Sequence, residues 1–278
     1  VWVLGRKRRQ AWDVAEFGMA LALFFLVIGA ILGVLLGLQL ADVEIVAGEN
    51  GQRLGDAHPA AMVVGYVILA AVALVEWVIR RGDVPSLAES RAGMVQMLLI
   101  FLAGLFAMVG VLIDNEMLLQ LNVPFEVVGV FILVWRLRSF LAPREWGGPI
   151  VNAMMRLPVV GLIVGVALFA RVVALFVSGA DFEEIIPWLL AVDHINFIAV
   201  VTNLVFAMLA LSSNVSERAN RVLFWGVAVG IAGFAPALIT DNATLKRIFT
   251  PILGLALLHG IYSYLRAEST ETVSSAPV

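Results

Sequence analysis

The chain has no cysteine, only three histidines and three tyrosines in 278 residues, and just 14% of its residues are charged. Without cysteine it can form no disulfide, no thiolate zinc or iron–sulfur site and no covalent c-type haem linkage. It carries no nucleophile elbow, no phosphate loop and no paired-histidine metalloprotease helix, so it lacks the short motifs that announce hydrolytic or nucleotide chemistry. No nucleic-acid partner is expected.

What the chain does have is apolar residues, which make up 62% of it. A soluble domain has about 45–50%. The charges lie between long apolar runs, so the chain is read as an integral membrane protein whose first partner is the lipid bilayer. A helix needs about 20 apolar residues to cross, and eight such runs occur, near 14–40, 58–79, 92–113, 117–140, 154–178, 186–211, 221–240 and 246–266. The expected fold is all-α: a polytopic transmembrane bundle of about eight spans, one domain over 1–266, with a polar tail over 267–278. The fourth run is interrupted by Gln120, Asn122, Pro124 and Glu126, which leaves a re-entrant segment as its alternative. The first run is too long for the apolar core of a cleavable leader. No internal repeat stands out.

Orientation is read from where Lys and Arg fall. With a cytoplasmic N-terminus, 14 of the 18 basic residues lie inside, including Arg6 to Arg9, Arg80, Arg81, Arg136, Arg138, Arg144 and Arg156. The outer connections are acidic, as in Asp181-Phe182-Glu183-Glu184, a stretch suited to docking a basic electron carrier such as a c-type cytochrome. Both termini are expected in the cytoplasm and the protein in the inner (plasma) membrane.

The histidines carry the functional question, because an ionisable side chain in a membrane helix is costly unless it has a task. His58 opens the second span from outside. His194 has 18 residues left before Ser212, roughly 27 Å of helix, so it also lies near the outer boundary. His259 is deeper, by roughly 20 Å, with Tyr262, Tyr264 and Glu76 near its level; a quinone contact, a proton relay and plain packing are its open readings. Met62 and Gly65 follow His58 on one helical face, and Gly65 would let a flat macrocycle approach the backbone. Arg171 within the fifth span, and Lys246 and Arg247 at the outer start of the eighth, are candidate partners for haem propionates. Their alternatives are pairing with Asp193 or Glu184, and with Asp241.

The stretch Phe17–Arg81, with a Gly-rich first helix (Gly29-x3-Gly33-x3-Gly37), an outer loop and then Ala57-His58-x3-Met62, resembles the first two helices of haem–copper oxidase subunit I and of NnrS-like haem membrane proteins. The resemblance implies that His58 is an axial ligand of a low-spin haem; His194 is the second candidate by depth. It departs from the oxidases in having too few histidines for their copper and second haem and no His-Pro-x-x-Tyr motif. What it implies is a membrane b-type cytochrome with one bis-histidine haem b, ligated by His58 and His194, inside a larger redox complex. An NnrS-like, nitric-oxide-responsive haem protein and a cofactor-free scaffold or transporter subunit are the alternatives.

Overall fold

The computed structural model describes residues 12–41, 49–80, 90–142 and 148–267. The basic cluster Arg6–Arg9, Arg81, Arg144 and the polar tail from 268 onward lie outside these residues. Among them the chain is all-helical, and eight helices are long and apolar enough to cross a membrane. They are α1 (Val14–Leu40), α2, α3 (Arg91–Leu112), α4 (Glu116–Arg136), α5 (Ile150–Val177), α6, α7 (Glu217–Ile239) and α8 (Ala243–Leu265). Two are composite. α2 joins Glu49–Pro59, a π-helical Ala60–Val67 and Ile68–Arg80, and α6 joins Phe182–His194, a π-helical Ile195–Thr202 and Asn203–Ser212. Below, "near" means the membrane side on which α1 begins, and "far" the opposite side.

The helix starts are written in the sequence. Asp13 and Glu16 form a reciprocal capping box at α1. Ser90, Asn115, Ser216 and Asn242 each accept a backbone N–H two or three residues into α3, α4, α7 and α8. The fourth run is a continuous helix, not a re-entrant one. Pro124 is accommodated within it, and Asn122 and Glu126 turn into the bundle instead of breaking it. α2 begins earlier than its apolar run, because the polar stretch from Glu49 is already helical; His58 therefore lies inside a helix and not at its mouth.

α2 is the central helix, with 67% of its most apolar stretch buried, against 22% for α1 and 17% for α8. Small residues let its neighbours approach. A Cβ on Gly104 of α3 would lie 2.7 Å from the Gly65 Cα of α2, and one on Gly65 would lie 2.5 Å from the Phe25 ring of α1. Leu23, Val27, Ile31, Phe131 and Leu255 remain on the outside, an apolar surface that in water would be a liability and in lipid is expected.

The structure also contains a repeat that the sequence pattern hides. α1–α4 and α5–α8 each carry a π-helical segment in the second helix and a turn between the third and fourth helices made by an aspartate of positive φ (Asp114, 55°; Asp241, 47°). Each aspartate precedes an Asn N-cap and a proline inside the last helix (Pro124, Pro251). Each aspartate also pairs with a basic residue: Arg53 with Asp114 at 2.9 Å and Lys246 with Asp241 at 2.5 Å. Glycine pairs seat the second helix on the first in both halves, Gly29 and Gly33 beside Met62 and His58, Gly161 and Gly165 beside Val200 and Asn196.

Candidate functional site

The α1–α2 seam sets the position of His58. Its Nδ1 donates to the Gly29 carbonyl oxygen at 2.9 Å, and a Cβ on Gly33 would fall 2.9 Å from its Cε1. A carbonyl only accepts, so Nδ1 carries a proton, and in the neutral ring the lone pair is then on Nε2. His194 is fixed in the same manner. Its Nδ1 donates to the Leu190 carbonyl oxygen of its own helix at 2.7 Å, again leaving Nε2, and its ring meets Phe234 of α7 edge-on at 5.1 Å. Both imidazoles stand where an α-helix passes into a π-helix, a winding that recurs at functional sites. In α6 the Thr202 hydroxyl donates to the Phe197 carbonyl five residues back, which satisfies an acceptor within that wider winding.

The two rings engage different neighbours. The helical segment bearing His58 packs on α1 and α3, and the one bearing His194 packs on α5 and α7. α2 and α6 meet where Ile68–Arg80 packs on both Ile195–Thr202 and Asn203–Ser212. The donor set fits an iron porphyrin in chemistry, since metal-bound histidines commonly give their second nitrogen to a carbonyl. The contacts turn the rings toward α1 and α7. Among the described residues no group of three or more His, Asp or Glu side chains forms a metal cage.

The remaining expected residues fall as follows. Gly65 does share a face with His58 and Met62, and at Gly65 itself Phe25 of α1 and the Gly104 backbone of α3 pack closely. Gly65 is a helix-packing residue. Arg171 is exposed, with its guanidinium 5.7 Å from the Trp188 ring, because it lies on the outward face of α5. Lys246 pairs with Asp241, whose carboxyl that ammonium holds below the ordinary carboxylate value. Arg247 is exposed at the far end of α8. His259 donates from Nε2 toward the Ala219 carbonyl at 3.3 Å, beside a near-side contact in which the Tyr264 hydroxyl donates to Asn220 Oδ1 at 2.6 Å. Glu76 is not in that group.

Glu76 belongs instead to a cluster that charge counting by loop does not find. Arg136 of α4 donates to both oxygens of Glu76 on α2 and to Gln96 Oε1 on α3 at 2.8 Å, and Gln96 Nε2 donates to Glu76 at 3.3 Å. All three side chains are buried. Arg156, also expected among the flanking charges, is 1% exposed; its Nε donates to the Phe140 carbonyl at 2.7 Å and its guanidinium lies over that ring. Both arginines sit at helix ends by sequence, yet the near ends of the helices converge over them. Asn122 and Glu126, first met as interruptions of a span, are fully buried on the α3-facing side of α4. Their spacing of one helical turn was the signal available in the sequence.

No family model, curated protein or solved structure matches this chain.

Proposed function

We propose that the chain is a b-type cytochrome subunit of the plasma membrane, with His58 and His194 as axial ligands and the near side facing the cytoplasm. One observation carries this reading: in both halves of the bundle an imidazole stands at an α-to-π junction with Nδ1 committed to a carbonyl and Nε2 left as the ligating nitrogen. Haem b, when bound, supplies one-electron chemistry, and a bis-imidazole ligand set keeps the iron closed to substrate. The residues of the chain would hold the imidazoles, keep water out with the apolar faces of α1, α2, α6 and α7, and offer the acidic far-side stretch Asp181–Glu184 to a basic donor such as a c-type cytochrome. Other redox subunits would cover part of the apolar surface. A quinone beside His259 and Tyr264 would complete an electron route to the near side.

A second reading, a cofactor-free scaffold or transporter subunit, is favoured by the separate packing of the two rings, one on α1 and the other against Phe234 of α7. The absorption spectrum of detergent-purified protein separates the two. A Soret band with a reduced haem b α-band, lost in both His58→Ala and His194→Ala, supports the cytochrome. Protein without Soret absorbance after expression in haem-replete cells selects the scaffold. A haem that binds carbon monoxide at once would move the assignment to an NnrS-like five-coordinate site.

A further inference from the structure

Glu126 occupies the midpoint of α4, ten residues from Glu116 and ten from Arg136, about 15 Å of helix from either end. It is 1% exposed, and neither carboxylate oxygen has a hydrogen-bond partner among the described residues. One turn before it, Asn122 is 0% exposed; its Nδ2 donates to the Ala103 carbonyl at 3.0 Å while its Oδ1 has no partner. Three buried oxygen acceptors on one face of α4 therefore receive no hydrogen bond among the described residues.

Among the described residues no charged side chain is hydrogen-bonded to Glu126. α4 packs on α3 and α5. The charged residue of α3, Arg91, is exposed at its near end. On α5, Arg156 is bound to the Phe140 carbonyl and Arg171 lies against Trp188. On α4 itself Glu116 is exposed and Arg136 is bound to Glu76. An ionised carboxylate buried without a partner costs far more than a folded protein tolerates. A proton removes that charge and also provides the missing donor.

The seam continues toward the near side. Asn122, Glu126, Gly129, Leu133 and Arg136 recur at helical spacing and are all buried. Gly129 is packed by the buried Ile100 of α3, whose Cγ1 lies 2.6 Å from where a Cβ would fall, with the Gln96 backbone carbonyl oxygen at 3.4 Å. Gln96 in turn bonds to Arg136 and Glu76. We propose that Glu126 is a proton-binding site in the middle of the bilayer, closed off from the Gln96–Arg136–Glu76 cluster by the buried Ile100 and Leu133. This inference is independent of whether haem is bound.

Infrared spectroscopy of the full-length protein in liposomes at neutral pH tests it. The wild type is expected to show the carbonyl stretch of a protonated carboxyl group that is absent from Glu126→Gln, retained in Glu76→Gln, and shifted on transfer to D2O. Glu126→Gln keeps the shape of the neutral acid; if it fails to fold, Glu126→Met serves as the same control. A wild-type spectrum with no acid band assignable to Glu126 overturns the proton site, as does a band that sodium ions abolish. A band that does not shift in D2O is not an exchangeable acid proton and overturns the assignment.

Discussion

Replacing Arg136 with leucine isolates the cost of leaving a charge in the bundle. The guanidinium donates to both oxygens of Glu76, and the two side chains are 2% and 4% exposed, so solvent cannot compensate when one is removed. In the Arg136→Leu variant the donor left to Glu76 among the described residues is Gln96 Nε2, at 3.3 Å. Breaking a buried ion pair from one side costs about 3–5 kcal/mol, whereas replacing both partners with apolar groups is close to neutral. The single variant should therefore lose about 10 °C of apparent melting temperature, taking about 2–4 °C per kcal/mol for a chain of this class. The double variant Glu76→Leu/Arg136→Leu should recover most of that loss. Thermal unfolding in one detergent, followed by tryptophan fluorescence at a fixed scan rate, measures all three proteins alike. A double variant as unstable as Arg136→Leu would refute the argument, since the loss would then come from packing. So would a single variant within about 1 kcal/mol of wild type.

Gly104→Ala should be severely destabilising, because its Cβ would lie 2.7 Å from the Gly65 backbone, which cannot rotate away; Gly37→Ala, with nothing within 4 Å, should be neutral in the same melting assay. Gly33→Ala should displace the His58 ring, whose Cε1 would lie 2.9 Å from the new methyl; under the proposed cytochrome assignment this lowers haem content per protein by reduced-minus-oxidised difference spectra while the helix content by circular dichroism stays constant. The Lys246 contact holds the folded Asp241 carboxyl below 3.8, so its contribution is complete above the ordinary carboxylate value and fades as pH falls through the lower folded one. Lys246→Met should return the Asp241 titration midpoint to the ordinary range, read by carboxyl carbon NMR.

The positions of the spans were legible because lipid demands about 20 apolar residues whatever their order. α1 runs over the same residues in sequence and structure, Val14 to Leu40. Two kinds of feature were not legible. A polar run can be helical when it sits at the membrane edge, so the start of α2 at Glu49 was hidden and His58 was taken for the mouth of a helix. The π-helical winding of Ala60–Val67 and Ile195–Thr202 has no residue type that signals it. Around the histidines the face shared by His58, Met62 and Gly65 was readable, but a face does not reveal what covers it, and here α1 does. Arg136 and Arg156 were counted with the flanks because depth along one helix is visible in a sequence and convergence of several helices is not. The repeat escaped for a similar reason: its marks are a turn conformation, a winding and two glycine contacts, spread over otherwise dissimilar side chains.

The doubled glycine seat has a consequence for chemistry at the two histidines. Gly33 faces His58, and Gly165 faces Asn196, so in the second half the counterpart of His58 is an amide, while His194 stands two residues further out. That amide is 2% exposed, and its Nδ2 has no partner among the described residues. An imidazole placed there by Asn196→His would meet Gly165 as His58 meets Gly33. A chain so altered would carry imidazoles at matching addresses in both halves.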